Sequence, residues 1–150
     1  MTLDPRVRSV APIGVRPLFD IVIDLNPRLD IGAGPLGRRV LFGAAGGSFD
    51  GDRLRGEVLP GGGDWALFRP DGTMTLDVRL TLRTDDGDLV HMTYGGRWVR
   101  PDGVPGNHYF RTALLFETGA DRLQWLNDIV CVGSGYVVEG GVAYHVAEVV

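Results

Sequence analysis

Along most of this chain hydrophobic and polar residues alternate one for one, the period of a strand with one buried face. From Leu18 to Leu25, Phe19, Ile21, Ile23 and Leu25 share one face, and Asp20 and Asp24 share the other. Further strands are predicted at Arg38–Phe42, Leu54–Leu59, Trp65–Arg69, Thr75–Thr84, Leu89–Tyr94, Tyr109–Glu117, Ile129–Gly133 and Val142–Val150. Turn signals separate them: Gly43–Gly47, Asp50-Gly51, Pro60-Gly61-Gly62-Gly63, Pro70-Asp71-Gly72 and Asp85–Asp88. In the Pro70 turn proline fixes φ and glycine accepts a positive φ. Pro101–Gly106 reads as a longer polar loop, and Asp121–Asp128 breaks the alternation with one or two helical turns carrying Leu123, Trp125 and Leu126.

Roughly nine or ten short antiparallel strands in one small chain must close or stack, because open sheet edges invite aggregation. A closed all-β barrel is the expectation, forming a single domain over residues 1–150 with residues 1–15 as a loosely ordered arm. Thr75–Thr84 leaves one choice open. Leu76, Val78, Leu80 and Leu82 occupy one face, and Asp77, Arg79 and Arg83 the other. The polar ladder is either a solvated outer face or, in a reversed strand, a barrel lining. In the second case the leucine face would need cover from another subunit, which is the ground for expecting a homo-oligomer, most simply a dimer.

Composition narrows the chemistry. All 15 basic residues are arginine, which excludes Schiff-base catalysis and a phosphate loop ending in lysine. A net charge of −4 gives no general attraction for nucleic acid. No apolar run spans a bilayer, and Met1–Ala11 has no apolar leader segment, so a cytoplasmic protein without membrane association is expected. The lone Cys131, in an apolar run, reads as a small buried hydrophobe and fits a reducing compartment. His91, His108 and His145 lack the spacing of metal ligands, so neither metal nor cofactor is expected. No serine sits in a nucleophile elbow.

Acid–base chemistry is better supplied. Asp64, Asp77 and Glu117 are carboxylates within or beside strands, and Asp64 is followed at once by Trp65, an aromatic wall that would raise its pKa. The glycines before it either let backbone amides approach an anion or form a plain connection. Tyr94 and Tyr109 are possible proton donors. Arg79 and Arg111 could anchor a carbonyl or carboxylate. The candidate site therefore takes Asp64, Glu117, Asp77 and Tyr109 as catalytic residues, and Arg79, Arg111, Trp65, Phe49, Trp125 and Asn127 as substrate-binding ones.

Several segments occur together in a characteristic order: Arg16-Pro17-Leu18-Phe19, Gly47-Ser48-Phe49, Arg53-Leu54-Arg55-Gly56, Leu59 through Trp65, Leu76 through Gly87, Tyr109-Phe110-Arg111-Thr112, Phe116-Glu117-Thr118-Gly119 and Trp125-Leu126-Asn127. From about Arg16 to the C-terminus the chain resembles the bacterial and fungal family known as domain of unknown function 3237. The resemblance implies a small antiparallel barrel similar in architecture to allene oxide cyclase and dirigent-like barrels, with no assigned reaction. The family's recurrent polar positions fall on Asp64, Asp77, Arg79, Thr84, Asp86, Arg111, Glu117 and Asn127. The short segment between Tyr94 and His108, carrying Trp98, departs from the family pattern where a loop would border the barrel mouth. The function expected is small-molecule binding with cofactor-independent cyclase, isomerase or lyase activity. The alternatives are a non-catalytic carrier or sensor, or a barrel filled by its own side chains.

Overall fold

A computed structural model describes residues 3–99 and 108–150; the predicted loop Pro101–Gly106 lies outside the described residues. The strands are β1 (Val15–Leu25), β2 (Leu29–Gly34), β3 (Gly37–Asp50), β4 (Arg55–Val58), β5 (Gly63–Phe68), β6 (Met74–Thr84), β7 (Leu89–Val99), β8 (Tyr109–Glu117), β9 (Cys131–Val138) and β10 (Gly141–Val149). A 3-10 helix at Asp121–Asp128 separates β8 from β9. All pairings are antiparallel, and β1 pairs with both β10 and β3, which closes a barrel of eight strand positions. One position, between β3 and β6, is shared end to end by β4 and β5. β2 is the free arm of a hairpin on β3.

The alternation on β6 decides the choice left open by the sequence. Leu76, Val78, Leu80 and Leu82 are at most 6% exposed and face the barrel interior, whereas Asp77 and Arg79 are solvent-exposed outside. A reversed strand with a polar lining is thus corrected: four apolar side chains gain more by leaving water than two ionised ones would. The reason first given for a dimer, an uncovered leucine face, goes with it.

Other elements differ from the pattern as well, β9 among them, which runs Cys131–Val138 where Ile129–Gly133 is predicted. Gly43–Gly47, expected as a turn, lies inside the continuous 14-residue β3, where Gly47 stands opposite Ile23 of β1. A Cβ at Gly47 would come within 2.1 Å of the Val22 carbonyl oxygen, so glycine lets two strands approach rather than reverse the chain. β7 runs on to Val99 because Gly95 and Gly96 pair with Asp77 and Leu76 of β6. β2 escaped notice because its residues are nearly all exposed and show no alternation.

The two ends of the barrel are built differently. At the closed end Phe19 packs on Phe49 and Phe116, with Leu123 and Leu126 of the 3-10 helix buried beneath them. Glu148, 8% exposed, accepts hydrogen bonds from Arg16 at 2.6 Å and Arg53 at 2.9 Å. The Arg16 pairing foremost, then Arg53, holds its carboxyl below the usual range. The Arg53 guanidinium also lies 4.2 Å from the centre of the Trp125 ring. Asn127 fastens the helix by accepting the Thr118 N–H at 2.8 Å and donating to the Thr118 carbonyl at 3.0 Å. Cys131 is fully buried against this end, and burial, then Glu148, pushes its thiol up to about 11, so it is an inert core residue.

At the other, open end β9 turns glycines to the interior, and aromatic rings from its neighbours pack against them. Gly133 and Gly135 face inward, and a Cβ on Gly135 would lie 2.8 Å from Tyr144 Cε1 and 2.9 Å from the Phe110 ring. Those rings occupy the space the glycines leave, edge to face at 5.3 Å between centroids. Gly135→Ala is expected to destabilise the protein by about 1–3 kcal/mol through overpacking. A urea titration checks this, and an unchanged midpoint would contradict the packing described.

Candidate functional site

The open half of the barrel encloses a cavity of about 270 Å³. An engineered apolar cavity of roughly 150 Å³ already accepts benzene, so this one suits a small organic ligand. Its walls are apolar, with Ile23, Phe42, Phe68, Met74, Phe110 and Val142 among them. The only ionisable side chains on the wall, among the described residues, are Asp64, Tyr94 and Tyr144.

Asp64 reaches the interior through the glycines that precede it. Where β4 ends and β5 begins, the chain must squeeze between β3 and β6. A Cβ at Gly62 would sit 2.2 Å from the Arg79 carbonyl oxygen, and one at Gly63 2.7 Å from that of Phe42. The loop's polar groups are used in the wall itself: Ala44 N–H donates to Gly62 O at 2.8 Å, and Gly61 N–H to Ala44 O at 3.3 Å. The glycines are therefore a crossover between strands and not an anion cradle. The crossover sets β5 so that Asp64 stands inward, in register with Val78 and Phe42.

Asp64 Oδ1 accepts the backbone N–H of Asp77 at 2.9 Å, at a point where the β5–β6 ladder lacks its Trp65 and Ala66 pairings. Burial is the main influence on this carboxyl and raises its pKa from 3.8 to about 6; the Asp77 amide hydrogen bond opposes it, and the Asp77 charge adds to the rise. Tyr94 and Tyr144 are buried, with ring centroids 5.3 Å apart. Both phenols are pushed upward, chiefly by burial, and the Asp64 charge adds to the shift in each. They remain neutral donors when Asp64 is ionised. The arrangement is one acid–base group and two hydroxyls facing an apolar space.

The other residues chosen from sequence do not join it. Trp65 points outward, its ring 6.0 Å from the Arg79 guanidinium, so the wall that desolvates Asp64 is Phe42 and its neighbours. Asp77, Arg79, Tyr109, Arg111 and Glu117 lie on the outer face. Arg111 stands over the Tyr109 ring at 5.4 Å and does not reach the cavity. Phe49 is sealed in the core, Trp125 belongs to the closed end, and Asn127 fastens the helix.

Tyr144 is absent from the sequence candidates, and of the two possible donors Tyr94, not Tyr109, faces the cavity. A signal existed: Tyr94 shares its face with Val90 and Met92, and Tyr144 shares its face with Val142 and Val146. A polar tip on an apolar face marks an inward-pointing group. Trp98, noted as a departure, lines the cavity and packs 5.0 Å from the His108 ring. His145 pairs outside with Asp20 at 2.9 Å, and no cluster of three metal-ligating side chains occurs among the described residues. Among the described residues no helix is long and apolar enough to cross a membrane.

Fold and cavity together define a closed antiparallel β-barrel with an apolar interior chamber that has one carboxyl on its wall among the described residues. The chain belongs to the family described as protein of unknown function (DUF3237), which it matches over residues 13–149. A UPF0311 protein of Clostridium acetobutylicum is 30% identical over 142 residues, covering 85% of this chain and 90% of the relative. One from Rhodopseudomonas palustris is 31% identical over 128 residues, covering 78% and 84%. Among solved structures, a β-barrel-like protein from Acinetobacter baumannii superposes with a TM-score of 0.90 at 31% identity, covering 95% of this chain and 99% of that one. A solved structure of an enzyme from Penicillium herquei shares the fold, with a TM-score of 0.75 at 20% identity over 96% of this chain and 99% of that one.

Because the folded protein holds the Asp64 proton more tightly than the unfolded chain, stability contributed by this group is greatest below pH 3.8 and is lost as pH rises through about 6. Asp64→Asn keeps an acceptor for the Asp77 amide and removes the buried charge. It is expected to raise stability at pH 8 by roughly 1–2 kcal/mol, after discounting for partial exposure, and to change it little at pH 4. Denaturant titrations at the two pH values check this; destabilisation at pH 8 would contradict it.

Proposed function

We propose that this protein binds a small, neutral, largely apolar carbonyl compound inside the barrel and moves a proton on it, as a cofactor-independent isomerase, cyclase or lyase. The observation that carries this reading is Asp64, a carboxyl poised near neutrality in an apolar chamber opposite two tyrosines. Ionised Asp64 would take a proton from the carbon next to a carbonyl. The electron pair moves onto the carbonyl oxygen, where Tyr94 or Tyr144 donates a hydrogen bond to the developing charge. The proton then returns at another carbon, or the enolate closes a ring or expels a leaving group. In each case atoms and charge balance without an external reactant.

The chamber also argues for ligand charge. No guanidinium lines it among the described residues. A ligand carboxylate would therefore place a second negative charge beside Asp64 with nothing to offset it. Arg79 and Arg111, on the outer face, are not used as anchors. The apolar character of the walls is equally what a carrier needs, so binding and turnover have to be separated by experiment.

A neutral bicyclic ketone, 2-tetralone, serves as the probe. In deuterated buffer the protein is expected to accelerate exchange of the protons next to its carbonyl, with a rate rising through a midpoint near pH 6. Asp64→Asn should slow this by about 100-fold or more while leaving binding, followed by ligand-detected NMR, intact. Val142→Trp, which fills the chamber, should abolish both. Binding without accelerated exchange would favour the carrier, and no binding would overturn the reading.

A further inference from the structure

Outside the barrel, several charged side chains on one side pair across strands, although Asp77 and Arg79 of β6 form no ion pair among the described residues. Around β2, β3, β4 and β6 each strand finds partners: Arg38 with Asp30 at 2.6 Å, Arg55 with Asp50 at 3.6 Å, and Arg83 with Glu57. On the wall formed by β7, β8 and β9 this stops. Arg97 and Arg111 stand directly opposite each other on adjacent strands. Like charges in that position repel. Among the described residues neither reaches a carboxylate. Each donates only to a backbone carbonyl beside it, Arg97 to Gly96 at 2.8 Å and Arg111 to Phe110 at 3.0 Å. Glu117, three outward positions along β8 from Arg111, likewise forms no ion pair among the described residues.

Between these two unpaired ends the surface is apolar. Leu115 is 55% exposed and Val130 51%, with Ala113 and Val132 between them and the arginines. An apolar strip with unpaired positive charge at one end and unpaired negative charge at the other is complementary to itself when rotated by a half-turn. A two-fold axis lying in the plane of the contact, perpendicular to β8 and passing over the midpoint between Ala113 and Leu115, lays β8 face to face with its copy and antiparallel to it. It sets Arg97 and Arg111 of each copy against Glu117 of the other and buries the strip in the middle.

We propose that this face is the docking surface for a second copy of the chain, forming an isologous dimer held by a central apolar strip and two arginine–glutamate clusters. The dimer relieves the Arg97–Arg111 repulsion that a monomer retains. It leaves the cavity mouth of each barrel free, so it is independent of any activity inside.

The symmetry makes a specific complementation test possible. Sedimentation velocity at micromolar concentration should give a dimer for the wild type. The R97E/R111E variant and the Glu117→Arg variant each place like charges at both clusters, so each should weaken association by about tenfold or more and sediment as a monomer. Mixed in equal amounts, the two variants pair opposite charges at both clusters and should restore the dimer mass. Circular dichroism establishes that each variant is folded; if either is not, Leu115→Glu replaces it and should give a folded monomer. A monomeric wild type, or a dimer mass unchanged by Leu115→Glu, would overturn the proposal. So would loss of the dimer only on deletion of residues 2–12, which would place the interface on the N-terminal arm.

Discussion

Everything inside this protein depends on how the wall between β3 and β6 is completed. A single strand does not fill that position; β4 covers the lower part, and β5 takes over after Pro60-Gly61-Gly62-Gly63. The handover works because Gly62 and Gly63 lie against the Arg79 and Phe42 carbonyls, where a Cβ would collide. Closing the barrel removes its sheet edges. It also fixes the phase of β5, and that phase turns Asp64 inward and Trp65 out. The buried carboxyl is thus a consequence of closure geometry.

Asp64 is held there at an energetic cost. Its charge is opposed by burial, and the one hydrogen bond offered to it, from the Asp77 amide, goes with an interrupted stretch of the β5–β6 ladder. A serine or valine at this position would close the wall more economically. The closed end shows the contrast: there Glu148 is also nearly buried, but Arg16 and Arg53 both bond to it, and its pKa falls. Two carboxyls in one barrel are thus pushed in opposite directions. The one lacking cationic partners faces the open chamber, and the one with two of them ties the strand ends together.

The barrel itself was legible from alternation, because each core strand contributes a period-two face such as Leu76, Val78, Leu80 and Leu82. Where glycine interrupts that pattern it fails: Gly43–Gly47 and Gly95-Gly96 read as breaks although both lie within strands. Of the ten candidate site residues, Asp64 alone borders the cavity. The reason is that polar residues sharing one strand face, such as Tyr109, Arg111 and Glu117, lie on the solvent side. The informative residues are the isolated ones, Tyr94 among valine and methionine and Tyr144 among valines. Asp64 was legible as a candidate, but its desolvating wall was not, because Phe42 is adjacent only through the β3–β5 pairing.

The absence of lysine from the chain acquires a narrower meaning in this light. With every cation an arginine, positive charge sits on a planar, permanently ionised fork suited to bidentate carboxylate pairing and to stacking on aromatic rings. Among the described residues, guanidiniums lie on the outer face or at the closed end, where carboxylates or aromatic rings meet several of them. The chamber is left with no cation to lower the Asp64 pKa except the weak field of Arg39 through the wall. At pH 7 a carboxyl of pKa about 6 is ionised roughly ten times out of eleven, yet near enough to its midpoint to accept a proton and return it. A lysine reaching into the same space would have locked that carboxylate in its charged form. With no guanidinium on the chamber wall among the described residues, the Asp64 carboxyl keeps its raised pKa.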